Sequence, residues 1–122
     1  YRECMKKSAV AFLLLFALAL AADDKKAEDK SVTLSGEVVD MHCYITRNAK
    51  GAEHTGCSNA CISRDVPAGF LADDGTLYLL VNEKPVSVKE KVAGKAGKKV
   101  KAHGTIVERD GVKAFQLASI EE

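Results

Sequence analysis

The chain of 122 residues is poor in aromatic side chains and has no excess of charge of either sign. Tyrosine and phenylalanine make up 6% of the residues, tryptophan is absent, and 18 basic residues are balanced by 17 acidic ones. Proteins that bind single-stranded nucleic acid combine aromatic stacking platforms with a basic groove. A polyanionic partner would likewise require clustered positive charge. We therefore expect no nucleic-acid partner.

Motifs of several enzyme and cofactor classes are also missing. The chain contains no phosphate-binding glycine loop, no serine nucleophile elbow and no paired-carboxylate catalytic motif, since Asp73 and Asp74 lie in a predicted hairpin turn. The string Cys-x-x-Cys-His, which attaches c-type haem, is absent. The sequence therefore favours a protein that is not an enzyme, and it supplies no candidate catalytic residue.

The first 30 residues have the pattern of an export signal followed by a tether. A basic start at Met5 precedes an apolar run over residues 9–22, which contains a small-x-small cleavage pattern. This pattern predicts that residues 1–21 comprise a secretory signal peptide with a few upstream residues. A retained membrane anchor is the less favoured alternative, because the run is short for a membrane span and no stop-transfer segment follows.

Residues 22–30 are charged and have few apolar side chains, which predicts a flexible leader. The domain proper is expected over residues 31–122. After cleavage we expect a periplasmic or secreted protein without a stable membrane span.

Four soft metal-type ligands lie within 19 residues of one another, in the stretch CYITRNAKGAEHTGCSNAC. The spacing is Cys-x10-His-x2-Cys-x3-Cys, formed by Cys43, His54, Cys57 and Cys61. Three thiolates and one imidazole are the ligands of a tetrahedral Cys₃His site, and zinc accepts both ligand types. The spacing therefore predicts one bound metal ion, with zinc favoured because it accepts both ligand types and needs no redox chemistry. Copper and iron also accept thiolates, and affinity alone would favour copper. His42 is a possible extra ligand, as is the thioether of Met41.

Two other interpretations of the cluster stay open. The remaining cysteine, Cys4, lies in the predicted signal region, so the exported protein would have an odd number of cysteines. A disulfide between Cys43 and either Cys57 or Cys61, with one spare thiol, would suit an oxidising compartment. A redox-active or nucleophilic thiol beside His54 is the second alternative.

The pattern of apolar residues predicts strands in most of the domain. Apolar and polar residues alternate over 32–38 and over 99–106, as in half-buried strands. An Asp-Gly pair at 74–75 predicts a tight hairpin turn, and a second pair at 110–111 precedes the last strand, predicted over 112–120.

Short helices and loops complete the prediction. A helix is expected over 57–64 after a polar loop over 46–55, and a weaker helix over 86–93. The predicted order is a strand, the cysteine–histidine cluster, a hairpin, a helix and a second hairpin. This is the order of elements in an OB-fold. Gly36 and Gly104 lie inside predicted strands, where glycine permits the coiling that closes a small barrel. We therefore predict a mainly β, five-stranded OB-like barrel with one or two short helices. An SH3-like barrel and an open β-sandwich are the alternatives.

Four segments of the chain carry a resemblance to a known family. The runs GEVVDMHCYI, EHTGC, CISRDVPAGFLADDGTLYLL and GKKVKAHGTIVERDG resemble a family of small exported bacterial proteins of OB-like architecture and unassigned function. The resemblance covers most of the domain, and the cysteine–histidine spacing is its most specific part. It implies the fold and a shared site, and it implies no activity.

The function expected from the sequence is that of an exported, metal-binding OB-like accessory module. The metal would be structural, since four protein ligands close the coordination shell of zinc. The physiological partner would be an unidentified protein or small molecule. A periplasmic copper or zinc carrier and a thiol-disulfide redox protein are the two alternative functions.

Overall fold

The computed structural model describes residues 30–122, which form a five-stranded barrel with two short α-helices. The strands are β1 (Ser31–Asp40), β2 (Ala68–Ala72), β3 (Leu77–Asn82), β4 (Val100–Arg109) and β5 (Val112–Glu121). The predicted signal peptide and, apart from Lys30, the predicted leader lie outside the described residues. Over residues 30–122 no helix is both long and apolar enough to cross a membrane.

The strands close into a barrel in the order β1-β2-β3-β5-β4, with β4 paired back onto β1. The contact between β3 and β5 is parallel, and the other four contacts are antiparallel. Both predicted turns are present, and in the second one Asp110 and Gly111 adopt positive φ. The prediction of a mainly β, five-stranded barrel is confirmed.

Glycine is required where strands of the barrel approach most closely. Gly36 pairs with Ala72 on β2 and with Val100 on β4, because β1 changes partner at this residue. A Cβ atom on Gly36 would lie 2.8 Å from the Cα atom of Ala72. A Cβ atom on Gly104 would lie 2.9 Å from the ring of Phe115. Real Cβ atoms do not pack that tightly, so a side chain at either position would force its neighbours apart.

The barrel has a hydrophobic core of its own. Phe70, Phe115, Leu117 and Val38 are fully buried, and the ring of Phe115 lies 6.0 Å from that of Phe70 and 6.1 Å from that of Tyr78. Each such side chain contributes about 1.5–3 kcal/mol by leaving water. The core cluster contains none of the cysteines. The cysteine cluster therefore lies outside the hydrophobic core of the barrel.

Helix α1 (Met41–Arg47) was not predicted from the sequence, and helix α2 (Thr55–Ser63) was predicted with slightly different ends. A 3₁₀ helix over Ala52–His54 leads directly into α2. The prediction of a loop over 46–55 is therefore wrong at both of its ends. Cys43, for which the sequence pattern predicts a place just after the first strand, lies in the first turn of α1.

The helix predicted over 86–93 is absent. This segment forms successive turns, in which the amide of Lys91 donates to the carbonyl of Val88 (2.9 Å) and the amide of Lys95 donates to the carbonyl of Val92 (3.0 Å). Valine loses side-chain freedom in a helix and is a weak helix former. Val88 and Val92 are instead buried in the barrel core, so tertiary packing decides the conformation here.

Replacement of Gly56 by alanine is expected to stabilise the protein by about 0.5–1 kcal/mol, because alanine loses less backbone entropy on forming a helix. Gly56 lies in α2, and a Cβ atom there would meet nothing within 4 Å. The midpoint of urea unfolding should rise accordingly. The matched control is Gly111→Ala, which is equally unhindered but has φ +84° and should destabilise the protein. A lowered midpoint for Gly56→Ala would contradict the expectation.

Candidate metal centre

Asp40 starts helix α1 and so positions the first cysteine. Its side chain is 1% exposed, and its Oδ1 atom accepts hydrogen bonds from the backbone amides of His42 (2.9 Å) and Cys43 (3.3 Å). This is the interaction of a helix N-cap. The helix ends at Arg47 and is capped by Asn48, which has φ 54° and whose amide donates to the carbonyl of Tyr44. Cys43 is thereby held in the first turn, only 5% exposed.

Helix α2 supplies the other two cysteines from one face. Cys57 and Cys61 are four residues apart, so their side chains lie one above the other. The helix is attached to the barrel by Ile62, which is buried in the core, and by Asn59, whose Oδ1 atom accepts a hydrogen bond from the amide of Ala96 (3.1 Å). The position of both cysteines therefore depends on the barrel.

The three sulfur atoms converge between the two helices. The Sγ atoms of Cys43, Cys57 and Cys61 all lie within 4.8 Å of one another, and all three thiols are free. With a Zn–S bond of about 2.3 Å, two sulfurs of a tetrahedral site are about 3.8 Å apart. A small contraction would thus suffice to bind an ion. This group could hold a metal ion, and residues 30–122 contain no second group of three or more such ligands.

His54 lies outside the three-sulfur group but lines a pocket together with two of its cysteines, Cys43 and Cys57. The pocket has a volume of about 140 Å³, and its other lining residues are Arg47, Ala49 and Ser58. His54 is half-buried and immediately precedes α2. The structure therefore brings three of the four predicted ligands together and places the fourth in a pocket that two of them share.

The two side chains considered as extra ligands have other surroundings. His42 is exposed and does not belong to the sulfur group. The thioether of Met41 packs over Gly69 on β2, where it occupies the space that a Cβ atom would need. Neither side chain joins the cluster.

Two arginines that the sequence analysis did not single out donate to the cysteine sulfurs. The Nη2 atom of Arg47 lies 3.1 Å from the Sγ atom of Cys43, and that of Arg64 lies 3.6 Å from the Sγ atom of Cys61. The hydrogen bond to Cys43 raises the pKa of Arg47 above its usual value. Arg47 follows Cys43 by four residues, and Arg64 follows Cys61 by three. On a helix these spacings place the two side chains next to each other, so the sequence could have indicated both contacts. Among the described hydrogen bonds, Cys57 has no such donor.

The second carboxylate oxygen of Asp40, Oδ2, is buried and lies within ordinary hydrogen-bond distance of no donor among the described residues. Burial acts to raise the pKa of Asp40, but the thiol and amide of Cys43, the thiol of Cys61 and the amide of His42 outweigh it. The net pKa is below the usual value. Thiols are weak donors. A cation held by the sulfurs would therefore supply positive charge near a buried carboxylate to which the thiols donate only weakly.

The thiol of Cys61 is subject to opposing effects. The hydrogen bond from Arg64 lowers its pKa, whereas the Asp40 carboxylate, burial and the neighbouring Cys57 raise it. The raising effects dominate, so the pKa of Cys61 lies above its usual value. A bound metal ion would reverse this, because coordination favours the thiolate.

No family model, curated protein or solved structure matches this chain. The barrel and the cysteine cluster agree with the features that the family resemblance implies. Membership of an exported OB-like family stays a prediction from the sequence.

Proposed function

We propose that this protein is a small exported module that binds one thiophilic metal ion through Cys43, Cys57 and Cys61, with zinc as the favoured ion. The observation that carries the proposal is the convergence of three free sulfur atoms from two separate helices within 4.8 Å. His54, which lines a pocket with Cys43 and Cys57, is the proposed fourth ligand. Three thiolates and one imidazole match the preference of zinc.

In this proposal the metal stabilises the connection between β1 and β2. Helices α1 and α2 have seven and nine residues. Helices this short do not persist in isolation. One ion bound by both would join them and hold the connection against the barrel. Such a role is that of a structural site in a non-enzymatic accessory module. The signal-peptide pattern of residues 1–21 supports a periplasmic or secreted location.

A metal carrier is the second candidate function, and the exposure of Cys57 favours it. Of the three cysteines, Cys43 is buried, Cys61 is half-buried and Cys57 is exposed. A structural zinc site is usually closed to solvent. A carrier site must instead be accessible to an incoming ligand, and copper(I) would then compete with zinc for the thiolates.

Elemental analysis combined with a count of reactive thiols tests the proposal. For protein purified without oxygen, we expect about one zinc per chain, and removal of the metal should expose the three cluster thiols to reagent. Copper in place of zinc would favour the carrier. Iron would contradict zinc as the bound ion. Protein without metal and with two of the three cluster cysteines disulfide-bonded would contradict the metal site and favour a thiol-disulfide redox protein.

A further inference from the structure

Cys57 lacks the burial and the hydrogen bond to sulfur that the other two cysteines have. Cys43 is buried and accepts a hydrogen bond from Arg47, and Cys61 is half-buried and accepts one from Arg64. Cys57 is exposed, and the described part of the chain provides no donor to its sulfur. Outer hydrogen bonds to metal ligands typically raise metal affinity by 10- to 100-fold. The bond from the metal to Cys57 should therefore be the first to break.

Exposed basic side chains outnumber exposed acidic ones in the segment that carries the sulfurs. Arg47 and Arg64 are exposed apart from their hydrogen bonds to sulfur, and Lys50 is also exposed. Over residues 40–65 the acidic side chains are Glu53, which is exposed, Asp65, which is paired with Lys89 (2.8 Å), and Asp40, which is buried. Such a surface raises the local concentration of anions and the rate at which they arrive.

We propose, building on the metal site proposed above, that the metal enters and leaves through Cys57 by exchange with an anionic thiol. In this step the sulfur of the incoming thiol forms a bond to the metal as the bond from Cys57 breaks. The proton of the incoming thiol passes to the released Cys57 thiolate, so no electron is transferred and no oxidant is needed. Cys43 and Cys61 hold the ion during the exchange.

Two thiols of opposite charge test whether the exchange partner is anionic. Zinc-loaded protein is mixed with an excess of a chromogenic chelator, and zinc transfer is followed with added reduced glutathione, which is anionic, or cysteamine, which is cationic. At equal thiolate concentration and low salt, glutathione should accelerate transfer about tenfold more than cysteamine. The difference should vanish near 1 M salt, where the screening length falls to about 3 Å. Transfer that does not depend on thiol, or equal rates with both thiols, would overturn the inference.

A matched pair of variants separates local charge from net charge. Arg64→Gln removes a guanidinium next to the sulfurs and should reduce the advantage of glutathione to about threefold or less. Arg109→Gln removes the same charge at the end of β4, where it makes no contact with sulfur, and should leave the advantage unchanged. An equal effect of the two variants would contradict steering at the site.

Alkylation identifies the exchanging ligand directly. When the zinc-loaded protein is treated with iodoacetamide and digested for mass spectrometry, Cys57 should be modified about tenfold faster than Cys43 or Cys61, because exposed sulfur reacts first. Equal labelling of the three cysteines would overturn the assignment of Cys57. Failure of the protein to bind zinc at all would instead refute the metal site itself.

Discussion

Replacement of Cys43 by serine is expected to lower the affinity of the protein for zinc by at least about 100-fold, since even the loss of an outer hydrogen bond to a metal ligand costs 10- to 100-fold. Serine has nearly the same shape as cysteine but does not offer the thiolate that zinc prefers. Cys43 is also the only sulfur that α1 contributes to the group. Without it, the ion would no longer join α1 to α2.

The same variant should keep its barrel. The hydrophobic core cluster contains Phe70, Phe115 and the other inward-facing strand residues and does not include Cys43. The far-ultraviolet circular dichroism of Cys43→Ser should therefore retain its strand signal. Unfolding of the whole domain would contradict this and would show that the metal stabilises the barrel as well as the connection between β1 and β2.

Zinc affinity is measured by competition with a chromogenic chelator, and His42→Gln is the matched control. His42 adjoins Cys43 in the chain, but its side chain is exposed and lies outside the sulfur group. Its replacement should leave zinc affinity unchanged. His54→Gln should weaken binding if the imidazole closes the coordination shell. An unchanged affinity in Cys43→Ser would refute the proposed ligand set.

Replacement of Gly36 by alanine is expected to destabilise the protein by about 3 kcal/mol or more, the upper range for inserting atoms into a packed interior. The added Cβ atom would lie 2.8 Å from the Cα atom of Ala72, and the carbonyl of Leu71 would be closer still. Both obstacles are backbone atoms of β2, which cannot move as a side chain can. Domains of this size have a total stability of roughly 5–15 kcal/mol, so the loss would be a large fraction of it.

Chemical denaturation measures this effect, and Gly56→Ala is its matched control. The two variants make the same chemical change, but the Cβ atom added at position 56 meets nothing within 4 Å. The unfolding midpoint should fall sharply for Gly36→Ala and rise slightly for Gly56→Ala. A midpoint for Gly36→Ala equal to that of the unmodified protein would show that β1 and β2 can separate at little cost.

Much of the barrel could be predicted because its signals are local. Alternation over 32–38 and 99–106 reports which strand face is buried, and Val38 and Val100 are indeed almost fully buried. The Asp-Gly pair at 110–111 supplies the positive φ of its turn without help from the rest of the chain. Where the local signal was weak, as over 86–93, burial of valines in the core determined the conformation.

The residue types of the candidate site were also evident from the sequence, but their arrangement was not. Helix α1 was missed because its start depends on the buried carboxylate of Asp40, which caps the helix just after a strand. The donors Arg47 and Arg64 were missed for a related reason, since their roles require helical geometry around each cysteine.

Local signals in the chain are enough to predict the strands, the turns, the two strand glycines and the presence of soft metal ligands. Each of these depends on neighbouring residues or on side-chain chemistry alone. The convergence of Cys43, Cys57 and Cys61, with His54 in a pocket that Cys43 and Cys57 also line, depends on long-range packing. It arises because β1 directs α1, and the barrel core anchors α2. The distance between the sulfurs is therefore set by packing contacts between residues far apart in the chain.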